Sequence, residues 1–249
     1  MLTFDRRNKI LEYIAENGAA GVAELSNMLG ASESTIRRDL SELSKTGKLD
    51  KVHGGAILPS LEFINREDSI NIKVQKNYEE KLAVAEYAAS LINDSDYVFL
   101  DAGSTTFLMT RFISASKATF ITNGIAQAQE LIKNGCRVLV LGGELKDTTE
   151  AIAGSTAAKN LQKYNFSKAF IGANGITLKQ GVTTTDINEA IIKAVAVEHS
   201  FSSFVLADSS KFGKVSAVTA VPLDAACIIC DKCPDEGVKN KTIVKEVKA

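Results

Sequence analysis

From residue 78 onward the chain alternates between stripes of helical spacing and short, almost wholly apolar runs, and few folds accept that alternation. A helical stripe from Tyr78 to Ile92 leads to Tyr97-Val-Phe-Leu100, and a Gly/Ser/Thr loop and an apolar helix follow. Ala118-Thr-Phe-Ile-Thr122 precedes a helix from Ile125 to Ile132 and then Arg137-Val-Leu-Val-Leu141. Ala169-Phe-Ile171, Phe204-Val-Leu-Ala207 and Cys227-Ile-Ile229 repeat the short apolar type. Runs of this length, rich in β-branched and aromatic residues, read as buried strands. Strands alternating with helices specify an α/β domain with a largely parallel sheet.

Ligands of such sheets sit beyond the carboxyl ends of the strands, so the polar residues that follow each run are site candidates. The first set is Asp101-Ala-Gly-Ser-Thr-Thr106, ahead of a helix expected to open at about Phe107. Gly103 permits close backbone approach, and the hydroxyls of Ser104, Thr105 and Thr106 with successive N–H groups suit phosphate oxygens. The same residues would also make an ordinary turn and helix cap, and both readings stay open. The later strand ends carry Thr122-Asn123-Gly124, Gly142-Gly143-Glu144, Gly172-Ala-Asn174-Gly175 and Asp208-Ser-Ser-Lys211. Five such ends build one crevice more readily than five unrelated turns. Glu189 and Lys193, four apart on a helix after Thr183-Thr-Thr-Asp186, serve either that pocket or a surface ion pair worth only about 0.2–0.5 kcal/mol.

Residues 1 to 58 follow a different pattern. Ile10, Leu11, Ile14 and Ala15 mark one helix stopped by Gly18; Val22, Leu25, Met28 and Leu29 mark a second, with Gly30 turning the chain. A third begins at Ser32, whose hydroxyl is placed to cap it, and buries Ile36, Leu40 and Leu43 while Ser34, Thr35, Arg37, Arg38 and Ser41 face elsewhere. Short hydroxyls beside paired arginines suit a DNA groove, although a solvated surface helix has the same composition. Gly47 ends this helix, Lys48 to His53 has strand length, and Gly54-Gly55 turns into Ala56-Ile-Leu58, which suggests a wing. Bulk charge is neutral here, with eight basic and eight acidic side chains. Placement carries the argument, since Arg37, Arg38, Lys45, Lys48 and Lys51 crowd one end.

Ser34-Thr-Ile-Arg-Arg-Asp-Leu40 followed by Val52-His-Gly-Gly-Ala56 resembles the N-terminal domain of the DeoR family of bacterial transcriptional repressors. The resemblance implies DNA contacts from Ser32, Ser34, Thr35, Arg37 and Arg38 on a recognition helix, and from Lys51, His53 and Gly54 on the wing. Asp50-Lys51-Val52 departs from the bulky or arginine residue usual before His-Gly-Gly, which leaves Lys51 to meet the phosphate. The strand-end runs likewise resemble the DeoR-type effector domain, similar in fold to ribose 5-phosphate isomerase. That resemblance implies phosphate binding by Gly103, Ser104, Thr105 and Thr106. It also implies a sugar pocket lined by Asp101, Thr122, Asn123 and Asn174, with Lys211 as a nearby cation; Gly143 at its strand end, and Glu189 and Lys193 in their pocket reading, are counted with the same effector site.

The expected organisation is therefore a winged helix-turn-helix domain at 1–58, a linker opened by Pro59 at 59–77, whose Leu61, Phe63 and Ile64 would dock on a domain surface, and a sugar-phosphate-binding effector domain at 78–249. Lys146-Asp-Thr-Thr149, Phe170-Ile-Gly-Ala-Asn-Gly175 and Thr183-Thr-Thr-Asp186 look most like the fructose-operon repressors of Gram-positive bacteria, which implies fructose 1-phosphate as effector; lactose/tagatose-type and glycerol 3-phosphate-type repressors remain alternatives. Operator palindromes imply a homodimer or homotetramer. The other class of function is a sugar-phosphate isomerase or deaminase with an N-terminal appendage, for which Asp101, Glu144 or Glu189 would be the carboxylate base.

Composition narrows the remaining possibilities. The chain of 249 residues is 45% hydrophobic and 24% charged, as in ordinary globular proteins. It lacks a signal-peptide pattern and an apolar run of membrane-spanning length, so a cytoplasmic protein with no membrane partner is expected. Cys227, Cys230 and Cys233 have the spacing of part of an iron–sulfur motif. No fourth cysteine follows at usable spacing and the run is apolar, so reduced structural thiols are expected, with no metal and no cofactor.

Overall fold

The structure is a computed structural model that describes residues 2–45, 48–57, 62–114 and 117–248. Gly47 as a helix stop, Leu58 at the end of the wing, and Pro59 and Leu61 of the expected linker lie outside the described residues. The chain divides into two compact units, Met1–Leu61 and Glu62–Ala249.

The first unit runs α1 (Thr3–Asn17), β1 (Ala19–Gly21), α2 (Val22–Leu29), α3 (Glu33–Lys45), β2 (Asp50–Val52) and β3 (Gly55–Ile57). Ile10 and Ile14 of α1, Leu25 and Leu29 of α2, and Ile36, Leu40 and Leu43 of α3 form its core. These are the positions that helical spacing selects; of the expected stripe residues, Ala15 and Met28 are exposed instead, Met28 by 44%. One strand was not foreseen: β1 pairs antiparallel with β3, Ala20 opposite Ala56, and completes a three-stranded sheet in the order β1-β3-β2. A three-residue Ala-Ala-Gly run has no strand signature of its own, and only tertiary pairing makes it one. That pairing requires glycine at 55, where a Cβ would lie 2.2 Å from the Ala20 carbonyl oxygen.

The second unit begins with β4 (Glu62–Ile64), α4 (Ile70–Gln75), α5 (Tyr78–Ser90), β5 (Tyr97–Leu100), α6 (Ser104–Met109), β6 (Thr119–Thr122), α7 (Ile125–Lys133) and β7 (Arg137–Val140). It continues with β8 (Glu144–Leu145), β9 (Ile152–Ala153), α8 (Ser155–Leu161), β10 (Phe166–Gly172), β11 (Gly175–Thr177), β12 (Gly181–Thr184) and α9 (Ile187–Glu198). The last elements are β13 (Ser200–Ala207), β14 (Lys214–Ser216), β15 (Val218–Val221), β16 (Cys227–Cys230), α10 (Glu236–Lys241) and β17 (Val244–Glu246). Seven strands, in the order β17-β16-β13-β10-β5-β6-β7, form a sheet in which every neighbouring pair is parallel. Both faces are covered, which explains the continuous apolar runs. Phe99, Ala169, Ile171, Val205 and Ile228 join one core with α8 and α9. Val98, Leu100, Phe170, Leu206 and Ile229, the alternate residues of the same strands, join the other with α5 and α6.

The segment expected as a linker carries structure from residue 62. β4 pairs in parallel with β14, and α4 buries Ile70 and Val74, so residues 62–77 belong to the second unit. A three-residue strand and a six-residue helix are too short to leave a readable period. Cys136, Cys230 and Cys233 are buried free thiols, and burial pushes the Cys230 thiol up to about 12. Among the described residues no helix is long and apolar enough to cross a membrane.

Candidate functional site

The surface of α3 begins with its cap. Ser32 Oγ accepts the Thr35 N–H at 3.3 Å and lies 2.9 Å from the hydroxyls of both Ser34 and Thr35. Ser34, Arg37 and Arg38 are exposed, as spacing requires. Arg37 pairs with Glu33 at 2.7 Å, but both side chains are about half in water. Such a pair is worth roughly 0.3–0.5 kcal/mol, so a DNA phosphate can replace it. Arg38 makes no ion pair among the described residues. Lys51 donates to Ser41 Oγ at 2.9 Å, tying the wing to the same helix face. His53 and Gly54 are exposed in the β2–β3 turn, where Gly54 takes a φ of +83° that side-chain-bearing residues avoid.

One residue of this helix escaped the sequence reading. Asp39 is 2% exposed and accepts from Arg6 Nε at 2.6 Å and Arg7 Nε at 2.9 Å, which fixes the first turn of α1 against the middle of α3. Its signal was its spacing: three after Ile36 and four before Leu43, it lies on the inward stripe.

The second site is a cavity at the carboxyl ends of β5, β10 and β13. Asp101 leaves β5 buried, pairs with Lys193 Nζ of α9, and accepts the Gly172 N–H at 2.9 Å. Gly103, Ser104, Thr105, Asn174, Glu189, Lys193 and Lys211 line the cavity, and Glu67 and Lys73 complete its wall. Glu189 and Lys193 are both buried and do not pair with each other, contrary to the surface-pair reading. Glu189 instead accepts from Lys146 Nζ at 2.8 Å and Thr149 Oγ1 at 2.9 Å. Burial lowers the Lys146 ammonium, but Glu189 and Asp186 outweigh it and hold the group above the usual lysine value. Lys211 is the cavity lysine without an ion pair among the described residues, and burial lowers its pKa.

Five expected residues do not line the cavity: Asp101, whose carboxylate is taken up by Lys193 and the Gly172 N–H behind the wall, and Thr106, Thr122, Asn123 and Gly143. Thr106 sits in the first turn of α6, which opens at Ser104 rather than near Phe107. Its hydroxyl, fully buried, donates to the Asp101 carbonyl at 2.5 Å and accepts the Gly103 N–H at 2.9 Å. Thr122 Oγ1 donates to the Leu100 carbonyl at 2.6 Å and accepts the Gly124 N–H. Asn123 bridges strands, accepting from Ala102 N at 2.9 Å and donating to the Ile152 carbonyl. Gly143 precedes β8, where a Cβ would come within 2.8 Å of the Ala153 carbonyl oxygen. These residues shape the loops that form the wall. Glu67, Lys73 and Lys146 were missed, because they reach the site from segments without strand-end or helix-face patterns.

A small helical unit with a capped, arginine-bearing helix and a hairpin, followed by a parallel α/β unit with a charged cavity at its strand ends, defines a two-part regulator that pairs a DNA reader with a sensor. Family comparison gives the same class: residues 6–62 match the DeoR-like helix-turn-helix domain and residues 76–232 the DeoR C terminal sensor domain. The chain belongs to the DeoR family of transcriptional regulators. It is 39% identical to a Bacillus subtilis protein named uncharacterized HTH-type transcriptional regulator FruR, with both chains covered in full. It is 38% identical to a lactose phosphotransferase system repressor of Staphylococcus epidermidis over 86% of each chain. Among solved structures, ribose 5-phosphate isomerase A of Methanocaldococcus jannaschii aligns with a TM-score of 0.42 at 18% identity, over 55% of each chain.

Proposed function

We propose that this chain is a cytoplasmic repressor of a sugar-utilisation operon, acting as a homodimer or homotetramer under the control of a phosphorylated sugar. In this reading α3 and the wing bind operator DNA through Ser32, Ser34, Thr35, Arg37, Arg38, Lys51, His53 and Gly54. The effector's phosphate meets Ser104, Thr105 and Lys211, with Asn174 beside its sugar; fructose 1-phosphate is the favoured effector. The observation that carries the reading is Lys211, a cation without an ion pair among the described residues on the wall that also bears Gly103, Ser104 and Thr105. The names of the FruR and lactose phosphotransferase relatives support the sugar connection. Of the carboxylates an isomerase would need, Asp101 is engaged by Lys193 and Glu189 by Lys146 and Thr149, and Glu144 is exposed and outside the cavity lining.

A thermal-shift panel of phosphorylated sugars tests the sensor half. The effector at about a hundred times its dissociation constant stabilises the protein by roughly 2.7 kcal/mol, and a panel in which fructose 1-phosphate gives no more shift than glucose removes it as effector. Operator titrations over a salt series test the other half. Replacing Arg37 and Arg38 together by alanine should flatten the log–log salt slope by about 2, near 0.9 per lost phosphate contact. An unchanged slope would dismiss α3 as the reading helix.

A further inference from the structure

The wall of the cavity has one component of a different kind from the rest. Gly103, Gly172, Asn174, Lys193 and Lys211 stand on or beside strand ends and α9, all anchored in the sheet's two cores. Glu67 and Lys73 come instead from the segment that follows the DNA-binding unit in the chain. That segment is held by the three-residue pairing of β4 with β14, by Ile70 and Val74 in the core shared with α5 and α6, by an Ile70 N–H to Thr148 carbonyl bond of 3.3 Å, and by the Lys81 ammonium on the Lys73 and Lys76 carbonyls. The Glu67 side chain is 10% exposed and pairs with Lys73 Nζ; its carboxylate also accepts from Thr185 Oγ1 at 2.7 Å and Asn174 Nδ2 at 3.4 Å, with Lys146 Nζ 3.8 Å away.

The cavity left beside this carboxylate measures about 40 Å³. Sites for small ligands run to roughly 300–1,000 Å³, so the cavity cannot admit a sugar phosphate until part of its wall moves. The part of its wall that stands on no strand end of the sheet and no helix between sheet strands is the segment that bears Glu67, joined through the short β4–β14 pairing. Charge argues the same way: an entering phosphate attracted by Lys211 meets Glu67 as a like charge on the same wall, and the donors around Glu67 are the kind a phosphorylated sugar would use.

We propose that Glu67 is an internal competitor for the effector site: its carboxylate occupies the place of an anionic or hydroxyl-bearing ligand against Thr185, Asn174 and Lys146, and the ligand displaces it and releases residues 62–75, Lys73 with them. The inference rests on the sugar-phosphate reading and adds how binding is sensed. Ligand and latch exclude each other, so the ligand binds the unlatched state, and the two states differ in the one segment that continues from the DNA-binding unit. The latch lowers apparent affinity in proportion to the fraction of molecules that are closed.

The test uses the full chain and Glu67→Gln, which keeps the shape and neutral hydrogen-bonding capacity at Thr185 and Asn174 but removes the charge opposite Lys73. Calorimetry with fructose 1-phosphate, and separately with inorganic phosphate, should show tighter binding to the variant by about tenfold. In the wild-type protein, saturating fructose 1-phosphate should accelerate amide exchange across residues 62–75, a measurement that needs no variant. Weaker binding to Glu67→Gln with slowed exchange would make Glu67 a ligand contact and overturn the proposal, as would unchanged affinity with only a lowered melting temperature. Phosphate that binds more tightly to the variant while fructose 1-phosphate binds neither protein would keep the latch and remove that effector. Failure of both ligands on both proteins would overturn the latch together with the effector site.

Discussion

On α3 the arginines stand in water, whereas the lysines around the cavity are largely withdrawn from it. Arg37 is 59% exposed and its pairing partner Glu33 46%; Lys193 and Asp101 are 6% and 5% exposed. An exposed pair exchanges one set of water-like contacts for another and is screened by salt, so it contributes little to folding and is free to be traded for a phosphate. A buried pair is weak evidence for added stability, yet removing one partner strands the other in a poor solvent. Cationic side chains are therefore free to change partners in one unit and hold shape in the other, and the difference is measurable.

The largest effect belongs to Asp101→Ala, which leaves the Lys193 ammonium buried without a counter-charge; urea denaturation should show a loss of about 3–5 kcal/mol in the second unit. A loss below about 1 kcal/mol would mean that water reaches this pair as it reaches Arg37. Asp39→Ala should lower the melting stability of the first unit by about 1–3 kcal/mol, less because Arg6 and Arg7 keep partial access to water. The comparison would fail if this substitution proved the more damaging of the two.

Lys81 sharpens the contrast through pH. It is 2% exposed, donates to the carbonyls of Lys73 and Lys76 at the end of α4, and burial brings its pKa down to about 8. Its unfolded value is about 10.4, so between these limits the unfolded chain holds more protons than the folded one. Stability contributed at this site therefore rises with pH from about 8 toward 10.4, and below 8 the burial penalty is fully present. The difference in stability between wild type and Lys81→Met should shift across this window in favour of wild type; a difference that stays flat from pH 7 to 10 would show that Lys81 is not desolvated. The smallest effect on folding is expected for Arg37→Ala and Arg38→Ala, each within about 0.5 kcal/mol by thermal melting, although these are the substitutions expected to disable operator binding.

Much of this architecture could be read from spacing. Ile36, Leu40 and Leu43 declared the inward face of α3, and the apolar runs at Tyr97, Phe204 and Cys227 declared buried strands, because both patterns repeat within a few residues. The site was harder. Thr105 and Thr106 are adjacent and chemically alike, but one lines the cavity and the other closes a loop onto the Asp101 carbonyl, a choice made by the direction of α6. Glu67 meets Thr185 and Asn174 from more than a hundred residues away, and no local period reports such a meeting. Asp39 was legible from its position but was hidden by its charge, which suggests solvent until a pair of arginines is found beside it.

The strand order of the sheet has a consequence for how the chain is made. β5 pairs with β10, Val98 with Lys168, and the sheet's edge is completed by β17 near the end of the sequence. Parallel pairings between distant segments carry a large loop-closure cost and fold slowly, whereas the first unit is closed by contacts within its own short stretch. During synthesis the N-terminal unit emerges first and can fold while the sheet is still waiting for its last strand. The helix-turn-helix domain can thus be complete while the sensor domain is still waiting for its closing strand.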